Sequence, residues 1–152
     1  MIPIQHIHPM LIHFPIVFIV CLAAFDTVAV FAGYPVTGRT ITGNISTTIA
    51  ALAGAAAVVA MMFGDMALEF AEAKGFSSEI AEIHEGLGQA TAISLAIWAV
   101  IRIFLWWRDR QIAGGVAYIF PLVSILGLIV VTATAFYGGQ LVFDLGVNVP
   151  QG

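Results

Sequence analysis

Four stretches of the chain, residues 10–32, 42–64, 84–107 and 115–138, stay apolar over twenty residues or more. They show little of the polar striping that marks a soluble amphipathic helix. Crossing the hydrocarbon core of a bilayer takes about 20 apolar residues, so each stretch is long enough. The connections GYPVTGRT and RDRQIAGG are short and rich in turn residues, which makes neighbouring helices antiparallel. The pattern therefore predicts an all-α integral membrane protein, a single antiparallel four-helix bundle without a convincing internal repeat. Ser77 and Ser78 precede Glu79 as a helix start with acid in its first turn, so the third helix begins outside the membrane and enters it near His84. Ile80, His84, Leu87 and Gly88 then share one apolar face. The second helix carries IAALAGAAAVVA, whose small residues allow either close helix approach or room for a larger group.

Composition strengthens the membrane reading. Of 152 residues 61% are hydrophobic and 9% charged, where a soluble domain carries roughly 25% charged residues. A net charge of −4 with five basic residues argues against nucleic-acid binding. The first span is too long for a signal-peptide core and lacks a basic start and a small-residue cleavage site, so it reads as a retained helix. Cys21, the one cysteine, has no partner for an intrachain disulfide.

The basic residues set the expected orientation. Arg39, Arg102, Arg108 and Arg110 fall on one side and Lys74 on the other. The positive-inside rule then puts both termini and the acidic loop 65–83 outside a bacterial inner membrane. Trp106 and Trp107 suit an aromatic belt on the cytoplasmic face, and Arg102 is expected to snorkel to that face.

The chemistry lies in HIHPMLIHFP. Pro9 suits the first helical position, which makes His8 the cap, with His13 about one turn deeper. Pro15 cannot donate to the Leu11 carbonyl, so a bend is expected beside His13. Antiparallel packing brings His8, His13, the stretch MMFGD ending in Asp65, His84 and the closing GGQLVFDLGV to one outer layer. Ionisable groups at such depth mark a functional site. Two histidines on separate helices suit a bis-histidine haem b, and His13 with His84 is the expected axial pair, with Gly86, Gly88 and the small residues of the second helix giving room. His8 and Asp65 are then supporting groups. The alternative is a zinc or copper site built from His8, His13, His84 and Asp65, with Met10, Met61, Met62 and Met66 suited to copper(I). A further alternative is a subunit or assembly factor whose buried polar layer only specifies packing. Asp26 lies far deeper, where Arg102 or Arg39 can pair with it, and reads as structural. No nucleophile elbow, phosphate loop or zincin motif is present, so an electron carrier is favoured over a stand-alone enzyme.

HPMLIHFPI, FGD, HEGLG and GGQLVFDLGVNV together resemble a widespread family of small four-helix bacterial membrane proteins catalogued as a domain of unknown function. The resemblance covers nearly the whole chain and implies the four-helix fold. By it, His8, His13, Asp65 and His84 match recurrent polar positions, while Leu145 stands where relatives commonly have a histidine. Some relatives are fused to Rieske iron–sulfur or c-type cytochrome domains. The resemblance thus implies electron transfer. As a haem carrier in the membrane lipid, the protein is expected to take electrons from a quinol or from a fused or docked Rieske or c-type cytochrome partner, the acidic outer loop suiting a basic cytochrome c, with homo-oligomers open.

Overall fold

A computed structural model describes residues 6–147 and 149, so Asn148 of the closing motif lies outside the described residues. The helices are α1 (Ile7–Leu11), α2 (His13–Phe31), α3 (Ile41–Glu72), α4 (Glu79–Trp107) and α5 (Ile119–Phe143), with a 3-10 turn over Gly114–Tyr118. α1 and α2 make one span. Ile12 keeps helical dihedrals (φ −59°, ψ −24°), and its N–H donates to the His8 carbonyl at 3.1 Å. The division falls where Pro15 lacks the N–H that the Leu11 carbonyl would take, the site expected for a bend. The result is four spans, each long and apolar enough to cross a membrane.

The helix start is earlier than Pro9. His6 is the cap and His8 is already helical, because proline also fits the third helical position, whose N–H has no partner within the helix. The segment 65–83 is likewise mostly helix rather than loop. α3, with 32 residues, and α4, with 29, are about 48 and 43 Å long at 1.5 Å per residue, more than a hydrocarbon core of about 30 Å needs. Ala67 and Ala71, four residues apart, are buried and continue the packing face of α3. Gly75, at φ 87°, turns the chain, and Ser78 caps α4 by accepting from the Ile80 N–H at 3.2 Å.

The α1–α2 span packs on α3 and on α5, and α4 packs on the same two helices. Among the described residues α2 and α4 make no direct backbone approach, so they occupy one diagonal of a square and α3 and α5 the other. Ile19, Leu22, Ala50, Ala57, Ala92, Leu95 and Val131 fill the axis with apolar side chains. The small residues of α3 serve close approach there. A methyl at Gly54 would stand 2.8 Å from Ala99 Cβ and 3.0 Å from the Leu95 carbonyl. The room expected along this helix is therefore taken up by α4. Gly54→Leu is expected to cost about 1–3 kcal/mol by overpacking, seen as a lowered melting midpoint in detergent. Gly86→Ala, where a methyl meets nothing within 4 Å, should leave that midpoint in place.

At the far end of the bundle the α2–α3 connection folds under the helices, with Val36 and Thr37 buried. Gly43 allows this approach, since a methyl there would collide with the Gly38 and Thr37 carbonyls. The Thr37 hydroxyl accepts from the Ile112 N–H at 2.9 Å. The Arg39 N–H donates to Asp109 Oδ1 at 2.7 Å, and its guanidinium lies 5.4 Å from the centre of the Trp106 ring.

Candidate functional site

His8 and Asp26 are eighteen residues apart, and so are His84 and Arg102. Eighteen residues are five turns at 3.6 per turn, so each pair shares one helix face, about 27 Å apart along the axis. Both faces point inward from diagonal helices. The bundle therefore holds two polar layers, one of histidines and one of an ion pair, with the apolar core between them.

In the histidine layer the rings of His8 and His84 meet edge to face, centroids 6.2 Å apart and planes at 77°. Each ring is seated in the same way. His8 Nδ1 donates to the Ala60 carbonyl at 2.8 Å, and its Cε1 lies 2.9 Å from where a methyl on Gly64 would stand. His84 Nδ1 donates to the Thr134 carbonyl at 3.0 Å, and its Cε1 lies 2.9 Å from the corresponding point on Gly138. Carbonyl and glycine are four residues apart in both α3 and α5. A carbonyl can only accept, so Nδ1 carries the proton in both rings and Nε2 keeps its lone pair. This is the tautomer a metal-ligating imidazole needs. The Thr134 hydroxyl also bonds the Thr91 hydroxyl at 3.0 Å, bracing the partner of His84.

His13 is not part of this contact. It lies five residues after His8, about 140° further round a helix, and is exposed, with Nδ1 only 3.4 Å from the Met10 carbonyl. The expected meeting of His13 with His84 is thus made by His8 instead. Depth put His13 and His84 level, but helix face decides which side chain enters the bundle. Asp65 follows Gly64 and is half-buried. Among the described residues no group of three or more histidines, cysteines and acids is close enough to hold a metal ion, so the four-residue set His8, His13, His84 and Asp65 is not assembled. The methionines do not converge either, since Met10, Met62 and Met66 are exposed while Met61 packs on the core. A methyl on Gly86, Gly88 or Gly139 would meet nothing within 4 Å, and Gly86 is exposed on the outside of the bundle. Two grooves among the described residues, of about 220 and 190 Å³, are lined without a histidine.

In the second layer Arg102 is fully buried and does not snorkel. Its Nη1 donates to Asp26 Oδ2 at 3.0 Å, and its Nη2 donates to Asp26 Oδ1 at 3.3 Å and to the Val36 carbonyl at 2.8 Å. Ser46 bonds both Asp26 and Arg102, and the Ser124 hydroxyl donates to Asp26 Oδ2 at 3.2 Å. The guanidinium carbon lies 4.7 Å from the centre of the Phe120 ring and 5.6 Å from that of Trp98. Asp26 and Arg102 come from one diagonal and Ser46 and Ser124 from the other. Arg39, the other candidate partner, is engaged at the surface by Trp107 and Asp109.

Residues 5–151 match the profile of a family described as predicted membrane proteins. The chain belongs to that family, DUF2231. No curated protein and no solved structure matches it. A DUF2231 chain is accordingly a multi-pass membrane protein with four candidate spans here, and its two polar layers are the features a function has to explain.

Proposed function

We propose that the protein is a membrane b-type haem protein that carries electrons, with Nε2 of His8 and of His84 as the two axial ligands. His8 takes the place that depth alone predicts for His13. The observation that supports this reading is one pair of inward imidazoles from diagonal helices, 6.2 Å apart between centroids, each with Nδ1 committed to a carbonyl. His8 and His84 would hold the iron through Nε2, each ring already fixed through Nδ1 by its carbonyl. When bound, haem b would supply one-electron chemistry.

The chain's own part is to hold both imidazoles in one tautomer, to keep their seats narrow with Gly64 and Gly138, and to close the axis with apolar residues. That closed axis favours a confined redox site over a conducting path. We place the histidine end outside a bacterial inner membrane, with both termini, because Arg39, Arg108 and Arg110 lie at the other end. The exposed Glu69, Glu72, Glu79 and Glu82 favour a basic partner such as a c-type cytochrome, with a quinol or a Rieske protein as further candidates.

The test is an absorbance spectrum of detergent-purified protein made with ample haem supply, recorded oxidised and then reduced. A Soret band that shifts on reduction is expected. A protein with no Soret band and near-stoichiometric zinc or copper by elemental analysis would replace the reading with a direct metal site. A folded protein with neither would leave a structural role.

A further inference from the structure

Three of the five basic residues lie at the end of the bundle opposite the histidines. Arg39 is in the connection 32–40, Arg108 and Arg110 are in the connection 108–118, and all three are exposed. The two connections are fastened to each other. The Arg39 N–H donates to Asp109 Oδ1 at 2.7 Å, and the Ile112 N–H donates to the Thr37 hydroxyl at 2.9 Å. The Arg39 side chain is held as well. Its Nη2 donates to the Trp107 carbonyl at 3.2 Å, and its guanidinium lies 5.4 Å from the centre of the Trp106 ring. That ring is fixed in turn, since Trp106 Nε1 donates to Asn44 Oδ1 at 2.7 Å. Asp109 is the one acid in either connection, and it takes the backbone N–H of Arg39 rather than a guanidinium. Among the described residues the only ion pair within 4 Å is Asp26–Arg102. Three cations against one carboxylate leave the patch with a surplus of positive charge. Beside it α4 ends on Phe104 and Trp107, both exposed, with ring centroids 6.4 Å apart.

We propose that this patch binds the headgroup phosphate of an anionic phospholipid, whose acyl chains lie along Phe104 and Trp107. A guanidinium presents a planar fork of N–H donors that fits phosphate oxygens. Arg39 is already held in place, so it loses little freedom on binding. Basic residues beside a membrane span attract anionic lipid. The surplus charge also selects the class of headgroup, because a zwitterionic one brings an ammonium that the arginines repel. Exposed aromatic rings at a span end suit the level where headgroup meets acyl chain. The proposal does not rest on the haem reading, since it concerns the opposite end of the molecule.

Titration of the detergent-purified protein with phosphatidylglycerol and with phosphatidylcholine, read by native mass spectrometry, tests this. Phosphatidylglycerol is expected to bind about tenfold more tightly at low salt, with a preference that shrinks as salt rises. Arg39→Gln should lower that preference about fivefold, the worth of one charge near a membrane surface, while its backbone N–H still reaches Asp109. Asp109→Asn should raise it by a similar factor, because the amide oxygen still accepts from that N–H and the one opposing charge is gone. Affinity for phosphatidylcholine should be the same in all three proteins, which separates a lost charge from a lost fold. Equal affinity of the wild type for the two lipids, or a preference unchanged in both variants, overturns the proposal. Displacement of the lipid by an equal concentration of glycerol phosphate also overturns it, since the acyl chains would then have no part in binding.

Discussion

If the protein holds haem as proposed, alanine at His8 or at His84 is expected to strip the Soret band from it, while alanine at His13 leaves the band in place. The contrast follows from helix face. His8 and His84 enter the bundle from opposite corners and meet at 6.2 Å, whereas His13 points away from both. Residues that merely support a metal ligand cost about 10–100-fold in affinity when removed, and removing an axial ligand costs more. Haem content per protein, read by the pyridine haemochrome method, should therefore fall at least tenfold for His8→Ala and His84→Ala. Size-exclusion profiles in detergent should stay those of a folded bundle, because each ring rests on a glycine at the end of the core rather than in its middle. Retention of haem in His8→Ala, with loss in His13→Ala, would reinstate the pairing expected from depth alone and would sink the present one.

That contrast also marks how far the sequence could be read. The four spans follow from apolar length, and His84 was placed inward by the face it shares with Ile80, Leu87 and Gly88. The helix start at Ser78 and the break ahead of Pro15 were legible because each rests on one local rule, a cap and a missing N–H. His13 was misplaced because depth was compared between helices while the angle from His8 was not. The signal that puts His8 on the inward face was present: His8 to Asp26 and His84 to Arg102 are both five full turns, which puts four ionisable groups on two inward faces. The seats on Gly64 and Gly138, the carbonyls of Ala60 and Thr134, and the hydroxyls of Ser46 and Ser124 were not legible. Their roles depend on which helices lie on a diagonal, and apolar lengths and short connections do not fix that. The burial of Arg102 belongs with them, since a cation near a helix end snorkels unless a counter-charge waits inside.

Removing one member of the Asp26–Arg102 pair is expected to be the most damaging single change to stability. Both side chains are fully buried, and every helical span contributes to their network through Asp26, Ser46, Arg102 and Ser124. Asp26→Ala leaves the guanidinium buried and opposed only by a carbonyl, hydroxyls and two aromatic faces. An uncompensated buried charge of this kind costs about 3–5 kcal/mol, enough to lower the melting midpoint and the yield of monodisperse protein sharply. Arg102→Met should cost a similar amount by stranding the carboxylate. The double variant Asp26→Leu with Arg102→Met removes both charges and keeps the volume, so it should recover most of the loss. Ser124→Ala, which deletes one 3.2 Å bond to Asp26 while the ion pair stays intact, should cost about 1 kcal/mol. The decisive comparison is the double variant against the two single ones. If the double is as unstable as their sum, the two residues are not coupled across the bundle. If it recovers stability and still binds haem at the histidine layer, the ion pair is the lock of the fold, and the chemistry belongs to the other end.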